Sequence, residues 1–505
     1  MWPFRSSKVP TAVKAAPRRA RRSYDAAIRT ATSSDWTDSR YDAARELRDA
    51  LEMVRSASRE AERNNGLYRR AIEMVVAYTV GDRGVALQST TTNAFNDEPD
   101  RVARDLIERA FGRWATSRVT LDGRLDWIGF LELCCRSWIR DGEIFVRLIW
   151  RDGRLHLQPL EGDMVPVRFD DVDRGIVSGI EMDADGRPVA YHVARQHPGM
   201  TGWGVVGQPD TLRIPADQIV HLYRAERVGQ VRGMPFGTAG LSDLRVLNGY
   251  IGAELKAARM NAARPAVITK DPNIADEYTG DGDTENDDEP LVIDMSESGV
   301  TQLPEGHRFE WSPATHPADA FSPFVNAVLR QFCATMGVSH ALLSRDLSQV
   351  NWSSLRVESQ DTNRFFGTLQ RHLIQTLVVP IFGAWLRTEL MAGRISSGKV
   401  VLRASDFERH RQAHWIAQPF PSIDQKADLA EARERIRLGV STLSRECVRL
   451  TGVELDLVIA ERKREREMLR RAGLLDVQEA EMSIATQKVL DQDGDGRPDG
   501  LERPA

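Results

Sequence analysis

The sequence predicts a helix-rich α+β protein. Several long segments carry apolar residues at the spacing of an amphipathic helix, and runs of alternating apolar residues flank Asp-Gly turns. The apolar fraction of 41% is sufficient for a buried core, and 505 residues correspond to several domains of roughly 100–200 residues each. We therefore expect helices and antiparallel hairpins to share one multi-domain chain.

The charge and the cysteines exclude some classes of protein. A net charge of −5 disfavours a chain that binds nucleic acid through overall basicity. Residues 1–40 are rich in Arg and are predicted to be a disordered basic arm, either a solvated tail or an arm that contacts DNA or a partner. The four cysteines lack CxxC spacing and indicate neither a zinc site nor a disulfide framework. No apolar run reaches the ~18 residues of a membrane span, so we expect no membrane partner.

Residues 41–236 are predicted to be a domain in which helices precede β-hairpins. Four helices are predicted. The first begins near Tyr41, the second follows a cap at Asn64 or Asn65, and the third and fourth span Asp100–Ser117 and Asp126–Arg140. The hairpins turn at Asp152-Gly153 and Asp185-Gly186, and Thr211–Tyr223 adds one further strand.

The next segments predict two helices that bracket an insertion. Residues 237–264 and 318–337 have helical periodicity, and Gly337 is placed to end the second helix. The insertion, 265–317, contains short strands and an acidic loop that is either simply solvated or a docking surface for a basic partner. Its acidic candidates are Asp281, Asp283, Glu285, Asp287, Asp288 and Glu289.

A polar break at 338–352 then leads into a long helix, 353–395. The break is either an interhelical loop or a loop presented to a polyanion, and Arg345 is the only Lys or Arg within Leu343–Trp352. The candidate residues of this loop are Ser344, Arg345, Ser348, Gln349, Asn351 and Trp352. A helix of more than thirty residues spans on the order of 50 Å, and Pro380 is expected to kink it.

The C-terminal part is predicted to contain a strand and linker at 396–424, helices at 425–475, and a helix with an acidic tail at 476–505. Within that tail, Asp491, Asp493, Asp495 and Glu502 match the ligand spacing of an EF-hand calcium loop. Only three residues follow Glu502, too few for the exiting helix of an EF-hand, so calcium and a flexible acidic tail are both retained. No other cofactor is expected.

Catalytic signatures are absent from the sequence. It contains no GxxxxGK[ST], HExxH or GxSxG motif, and no GxGxxG between a predicted strand and helix. Ser339-His340 lacks an obvious orienting carboxylate and is interpreted as a turn beside the end of a helix, not as a nucleophile and base. We therefore expect a protein that is not an enzyme.

The order of these segments resembles the portal proteins of tailed bacteriophages, specifically the lambda-like portal family. Four stretches carry the resemblance: ERNNGLYRRAIEMVVAYTVG, RGMPFGTAGLSDLRVLNGYIGAELKAARMNA, GVSHALLSRDLSQVNWSSLRVES and IDQKADLAEARERIRLGVSTLSRECVRLTG. Together they cover most of residues 41–470. Their order is specific, although none of them is a chemical signature on its own.

The resemblance implies a portal fold assembled as a dodecameric ring at one capsid vertex, through which double-stranded DNA passes non-specifically. The parts it implies are a wing (41–236, with its strand and linker at 396–424), stem helices (237–264 and 318–337), a clip (265–317), a tunnel loop (338–352), the long kinked helix (353–395) and a crown (425–475). The implied partners are the terminase large subunit, which would hydrolyse ATP, the major capsid protein and a head-tail adaptor. The protein would assemble in the host cytoplasm and remain in the virion.

Two other classes of protein are weighed against this one. A capsid or scaffold protein would not predict a helix–insertion–helix arrangement followed by a loop and a long helix. A terminase or nuclease needs a Walker loop or a metal-binding carboxylate cluster on strands; the first is absent and the second is not apparent.

Overall fold

The computed structural model confirms the predicted helix-rich α+β class. It describes residues 41–94, 96, 98–200, 210–262, 266–270, 307–311, 321–346, 348, 351–398, 400–420 and 424–474. The basic arm 1–40, the acidic candidates of the insertion and the four calcium candidates therefore lie outside the described residues, as does Gln349.

The N-terminal helices follow the predicted boundaries closely. They are α1 (Ala43–Asn64), α2 (Gly66–Thr79), α3 (Arg101–Ala115) and α4 (Trp127–Asp141), with a short strand β1 (Ala86–Ser89) before α3. Each begins at a polar cap: for example, Asn65 and Asp126 accept hydrogen bonds from the backbone N–H groups of Tyr68 and Gly129. At the end of α4, Gly142 adopts a φ of 89°, a conformation that favours glycine.

Two antiparallel sheets follow. The strands are β2 (Glu143–Arg151), β3 (Arg154–Glu161), β4 (Ile176–Val177), β5 (Ile180–Met182), β6 (Pro188–Ala194), β7 (Thr211–Pro215) and β8 (Ile219–Tyr223). Their orders are β3-β2-β8 and β4-β5-β6-β7. The predicted single strand Thr211–Tyr223 is wrong, because a turn of 3₁₀ helix at Ala216–Gln218 divides it between the two sheets.

The predicted helix–insertion–helix arrangement is present where it is described. Its elements are α5 (Leu241–Ala262), β9 (Ala266–Lys270), β10 (His307–Trp311) and α6 (Phe321–Met336). Strands β9 and β10 pair antiparallel, with Ala266 opposite Trp311. Helices α5 and α6 are also antiparallel: Tyr250 packs on Phe321 and Phe324, and Gln331 donates a hydrogen bond to Asp243 nearer the other end of the pair.

The interpretation of 338–352 as one polar break is wrong for its first part. Residues His340–Ser344 form a short helix, α7, so Ser339 follows the end of α6, as predicted, and also caps the start of α7. The long helix follows as α8 (Trp352–Leu373), a π-helical segment (Ile374–Val378) and α9 (Val379–Met391), ending before the predicted residue 395. Pro380 lies in the first turn of α9, directly after the π-helical segment. The backbone is therefore irregular next to Pro380, while the bend itself stays a prediction.

The remaining elements are β11 (Ser396–Ser397), β12 (Val400–Val401), α10 (Phe407–His410), β13 (Ala413–Ile416), α11 (Gln425–Arg437), α12 (Leu443–Thr451) and α13 (Leu455–Arg471). Strand β13 pairs antiparallel with β1, which lies more than three hundred residues earlier. Neither strand of this pair was predicted from the sequence. Their pairing fastens the segment after the long helix to the N-terminal domain.

The main core lies between the N-terminal helices and the long helix. Phe111 of α3 meets Phe382 and Trp385 of α9 edge-on, and also meets Trp415 of β13, at ring-centroid distances of 5.7, 5.1 and 5.8 Å. Trp385 is 1% exposed, and burying such a side chain contributes roughly 2–3 kcal/mol. This aromatic cluster fixes α9, the C-terminal part of the long helix, against α3 and β13.

Glu108 of α3 is a carboxylate whose environment opposes its charge. It accepts a hydrogen bond from the Ser89 N–H at 2.8 Å. Burial raises its pKa to about 7, the Ser89 hydrogen bond partly offsets this, and the charge of Glu454 adds to it. Because the folded-state pKa lies above the unfolded value, wild-type stability is lost as the pH rises from about 4.3 to about 7.

Replacing Glu108 by Gln is therefore expected to stabilise the protein above pH 7 by about 1–2 kcal/mol, after allowance for solvent screening, and to change nothing near pH 4. Gln retains an oxygen that accepts the Ser89 N–H. Urea denaturation between pH 4 and 8 measures the difference. If the wild type and the Glu108→Gln variant were equally stable at pH 8, the ionised Glu108 carboxylate would not be destabilised by its burial.

Candidate nucleic-acid interface

The candidate interface is the connection between α6 and α8. Gly337, with a φ of 65°, turns the chain after α6, and the Ser339 side chain then accepts a hydrogen bond from the Leu342 N–H to start α7. The apolar side of α7 is buried, with Ala341 and Leu343 at 2% and 4% exposure. The connection is therefore anchored on its inner side.

A second anchor joins the connection to the long helix. The His340 N–H donates to the Glu358 carboxylate of α8 at 3.0 Å. At the far end, the Asn351 side chain accepts from the Ser354 N–H at 2.8 Å and caps α8. Both ends of the polar segment are thus fixed by hydrogen bonds to named partners.

The polar segment itself consists of a left-handed residue and a side-chain turn. Arg345 has a φ of 58°, is exposed, and forms no ion pair within the described part of the chain. Asp346 accepts hydrogen bonds from the Ser348 backbone N–H at 3.0 Å and the Ser348 hydroxyl at 2.6 Å. These hydrogen bonds, the hydroxyl's first, lower the pKa of Asp346 from its ordinary value. One cation and one anion therefore stand side by side on the exposed surface.

The predicted loop residues thus fall into three groups. Arg345, Ser348 and Asn351 are exposed, which is consistent both with an interhelical loop and with a loop presented to a polyanion. Ser344 is half-buried, and its hydroxyl donates to the His340 carbonyl at 2.8 Å, so it closes the last turn of α7. Trp352 opens α8, and Gln349 lies outside the described residues.

Asp346 was not among the residues predicted from the sequence. Its signal was the Asp-x-Ser pattern of residues 346–348, in which the carboxylate bonds to groups two residues later. The sequence pattern therefore predicted the cation of this loop but not the opposite charge beside Arg345.

A buried charge cluster in the N-terminal domain is an alternative candidate site. Glu143 is fully buried and accepts hydrogen bonds from Arg55 at 2.8 Å, from Arg232 and from the Gly233 N–H at 2.9 Å. Burial alone would raise its pKa, but the charge of Arg232, the His221 hydrogen bond and the charge of Arg55 outweigh this and hold the pKa well below its usual range. Since protein groups occupy both carboxylate oxygens, we interpret the cluster as structural.

One group of possible metal ligands occurs among the described residues: Glu161, Asp163 and His197. Arg59 lies 3.3 Å from the Glu161 carboxylate and 2.5 Å from that of Asp163. His197 accepts the Gly199 N–H at its Nδ1 and lies 3.1 Å from Glu161 through its Nε2. The ligand atoms already have protein partners, so the group fits an ion-pair network better than a metal site.

The sequence also led us to expect no membrane partner. Among the helices described, none combines the length and the apolarity needed to cross a bilayer.

Comparison with known proteins identifies the family to which the chain belongs. The sequence model of the family described as "Phage portal protein, lambda family" matches residues 29–370, which is more than half of the chain. The chain belongs to the lambda family of phage portal proteins. The resemblance seen in the sequence is thereby confirmed.

Individual relatives carry the same designation. The "probable portal protein" of Halomonas phage phiHAP-1 is 27% identical over 463 residues, covering 90% of this chain and 88% of the relative. The "portal protein" of Escherichia phage N15 is 22% identical, covering 82% and 83%. In a solved structure of the neck of a native gene transfer agent (GTA) particle with C12 symmetry, one chain is 16% identical, with a TM-score of 0.40 and coverage of 78% and 91%.

Proposed function

We propose that this portal protein assembles as a dodecameric ring at one capsid vertex and conducts double-stranded DNA during packaging and ejection. Membership of the lambda portal family is the observation that carries the proposal. In this assignment, the domain of helices and hairpins is the wing, α5 and α6 are the stem, β9 and β10 belong to the clip, and α11–α13 belong to the crown. The segment between α7 and α8 is the tunnel loop that faces DNA.

The charges on the tunnel loop favour the passage of DNA through the ring over its retention there. Each phosphate that a protein neutralises adds salt-dependent affinity without sequence preference. A ring of unaccompanied arginines would therefore hold DNA tightly and oppose its movement. Asp346 beside Arg345 leaves the exposed pair without net charge, while Ser348 and Asn351 can exchange hydrogen bonds with water and phosphate.

The partners and the location follow from the same proposal. The terminase large subunit supplies ATP hydrolysis, so the portal itself needs no catalytic site. A head-tail adaptor replaces the terminase after packaging, and the major capsid protein surrounds the wing. The chain assembles in the host cytoplasm and remains at the capsid vertex of the virion. Negative-stain microscopy of the purified full chain tests the central element: rings with a central hole are expected, and monodisperse monomers would refute it.

Replacing Arg345 by Ala is expected to reduce the fraction of DNA-filled capsids by roughly threefold or more, because each loop loses its phosphate contact. Asp346→Asn is the matched variant, since it removes the opposite charge and keeps the oxygen that accepts from Ser348. It is expected to tighten the hold on DNA and to slow ejection. Nuclease-protected genomes per capsid and ejection rates measured at two salt concentrations report both effects. Normal packaging and retention by the Arg345→Ala variant would remove Arg345 from this role.

A further inference from the structure

The molecule carries an acidic groove between the long helix and the C-terminal helices. Its volume is about 1360 Å³, and five carboxylates line it against three arginines. Two of the arginines have partners within the chain: Arg83 donates a hydrogen bond to the Thr451 carbonyl, and Arg449 forms an ion pair with Glu446. Asp82, Glu132 and Asp428 form no ion pair within the described part of the chain. The groove therefore presents uncompensated negative charge beside Leu429, which is 59% exposed.

Helix α13 carries the opposite charge on one face. Arg462, Lys463, Arg466 and Arg470 recur at helical spacing together with Ile459, and all five side chains are exposed. None of the four cations forms an ion pair with another described residue. Helix α13 has no buried residue along its length and does not line the groove of its own chain. Helices in proteins are stabilised mainly by packing of one face against other elements, and α13 lacks such packing within its own chain.

We propose that the basic face of α13 packs into the acidic groove of a neighbouring copy of the chain. The inference rests on the proposed ring, because two different surfaces that complement each other generate a head-to-tail contact, which closes into a ring when the rotation permits. Ile459 would meet Leu429 while the cations meet Asp82, Glu132 and Asp428. The contact would join the C-terminal helices of one subunit to the long helix of the next.

DNA is a less suitable occupant for these surfaces taken together. A polyanion would be repelled by the groove, although it would be attracted to α13 by itself. A protein partner that brings cations satisfies the groove, and α13 of a second copy provides them next to an apolar side chain. The experiment must therefore separate loss of assembly from loss of DNA binding.

The test is a charge-reversal exchange in the full-length chain. One variant reverses the groove (Glu132→Lys with Asp428→Lys), one reverses α13 (Arg462→Glu with Arg466→Glu), and a third combines both. Mass photometry across a concentration series measures ring formation. Each reversal alone is expected to raise the concentration needed for half-assembly by roughly tenfold or more, and the combination to recover most of that loss.

Arg464→Glu is the matched control, because Arg464 is an exposed cation on the opposite side of α13. It should assemble like the wild type, and circular dichroism should show that every variant is folded. The interface would be overturned if both single reversals assembled like the wild type, or if the combined variant assembled no better than the single reversals. An α13 reversal that impairs only DNA binding would overturn it too and assign the face to nucleic acid. A wild-type chain that never forms rings would instead refute the proposed function.

Discussion

Replacement of Glu143 by Ala is expected to lower the free energy of unfolding by about 3–5 kcal/mol. Glu143 is fully buried, as are the two arginines that contact it: Arg55 is 1% and Arg232 is 0% exposed. The shortest contact of Arg232 with the carboxylate is 2.5 Å. Ala would leave two guanidinium groups inside the domain without their shared anion. The other carboxylate that contacts Arg55 directly, that of Asp163, is already bound to Arg59 as well.

Urea denaturation at neutral pH measures this loss, with Glu467→Ala as the control. Glu467 also pairs with an arginine, Arg471, but the two side chains are 51% and 78% exposed. Its removal should cost no more than about 0.5 kcal/mol, because water replaces the lost partner. A Glu143→Ala variant that matched this control would mean that water enters the cluster and that the cluster does not hold α1 against the sheet.

The same cluster shows what the sequence could not reveal. Helix α1 buries Leu47, Leu51, Arg55 and Ser58 on a single face. Leu47 and Leu51 give the helical period, whereas an arginine at the next position of that face is indistinguishable from a surface residue until its partners are known. Its anion, Glu143, is 88 residues away in sequence. No local pattern records such a pairing.

Local chemistry, by contrast, was predictable. The first hairpin turns at Asp152 and Gly153, with φ values of 52° and 69°, and Asp-Gly is the pair that tolerates two positive φ angles in succession. The short strands β1 and β13 carry no comparable signal, because each is only four residues long and pairs across most of the chain. For the candidate interface, the isolated cation Arg345 was found from the sequence, but the hydrogen bonds that anchor its loop to α8 were not.

Replacement of Gly337 by Ala is expected to destabilise the protein by about 2–4 kcal/mol. Gly337 has a φ of 65°, which costs an alanine roughly 1–2 kcal/mol. A Cβ at this position would also lie 2.4 Å from the Phe365 ring of α8. The ring would have to move, and Phe365 packs against the core next to Phe366, which is fully buried.

Gly367→Ala is the matched control, two residues beyond Phe365 on the same helix. A Cβ there meets nothing within 4 Å, and alanine is favoured over glycine inside a helix by about 1 kcal/mol. The same substitution should therefore have opposite signs at the two glycines, which thermal and urea denaturation would both detect. Equal stabilities of the Gly337→Ala variant and the wild type would show that the chain can leave α6 without this turn. In that case, the proposed tunnel loop would not be held at a fixed angle to α6 by this turn.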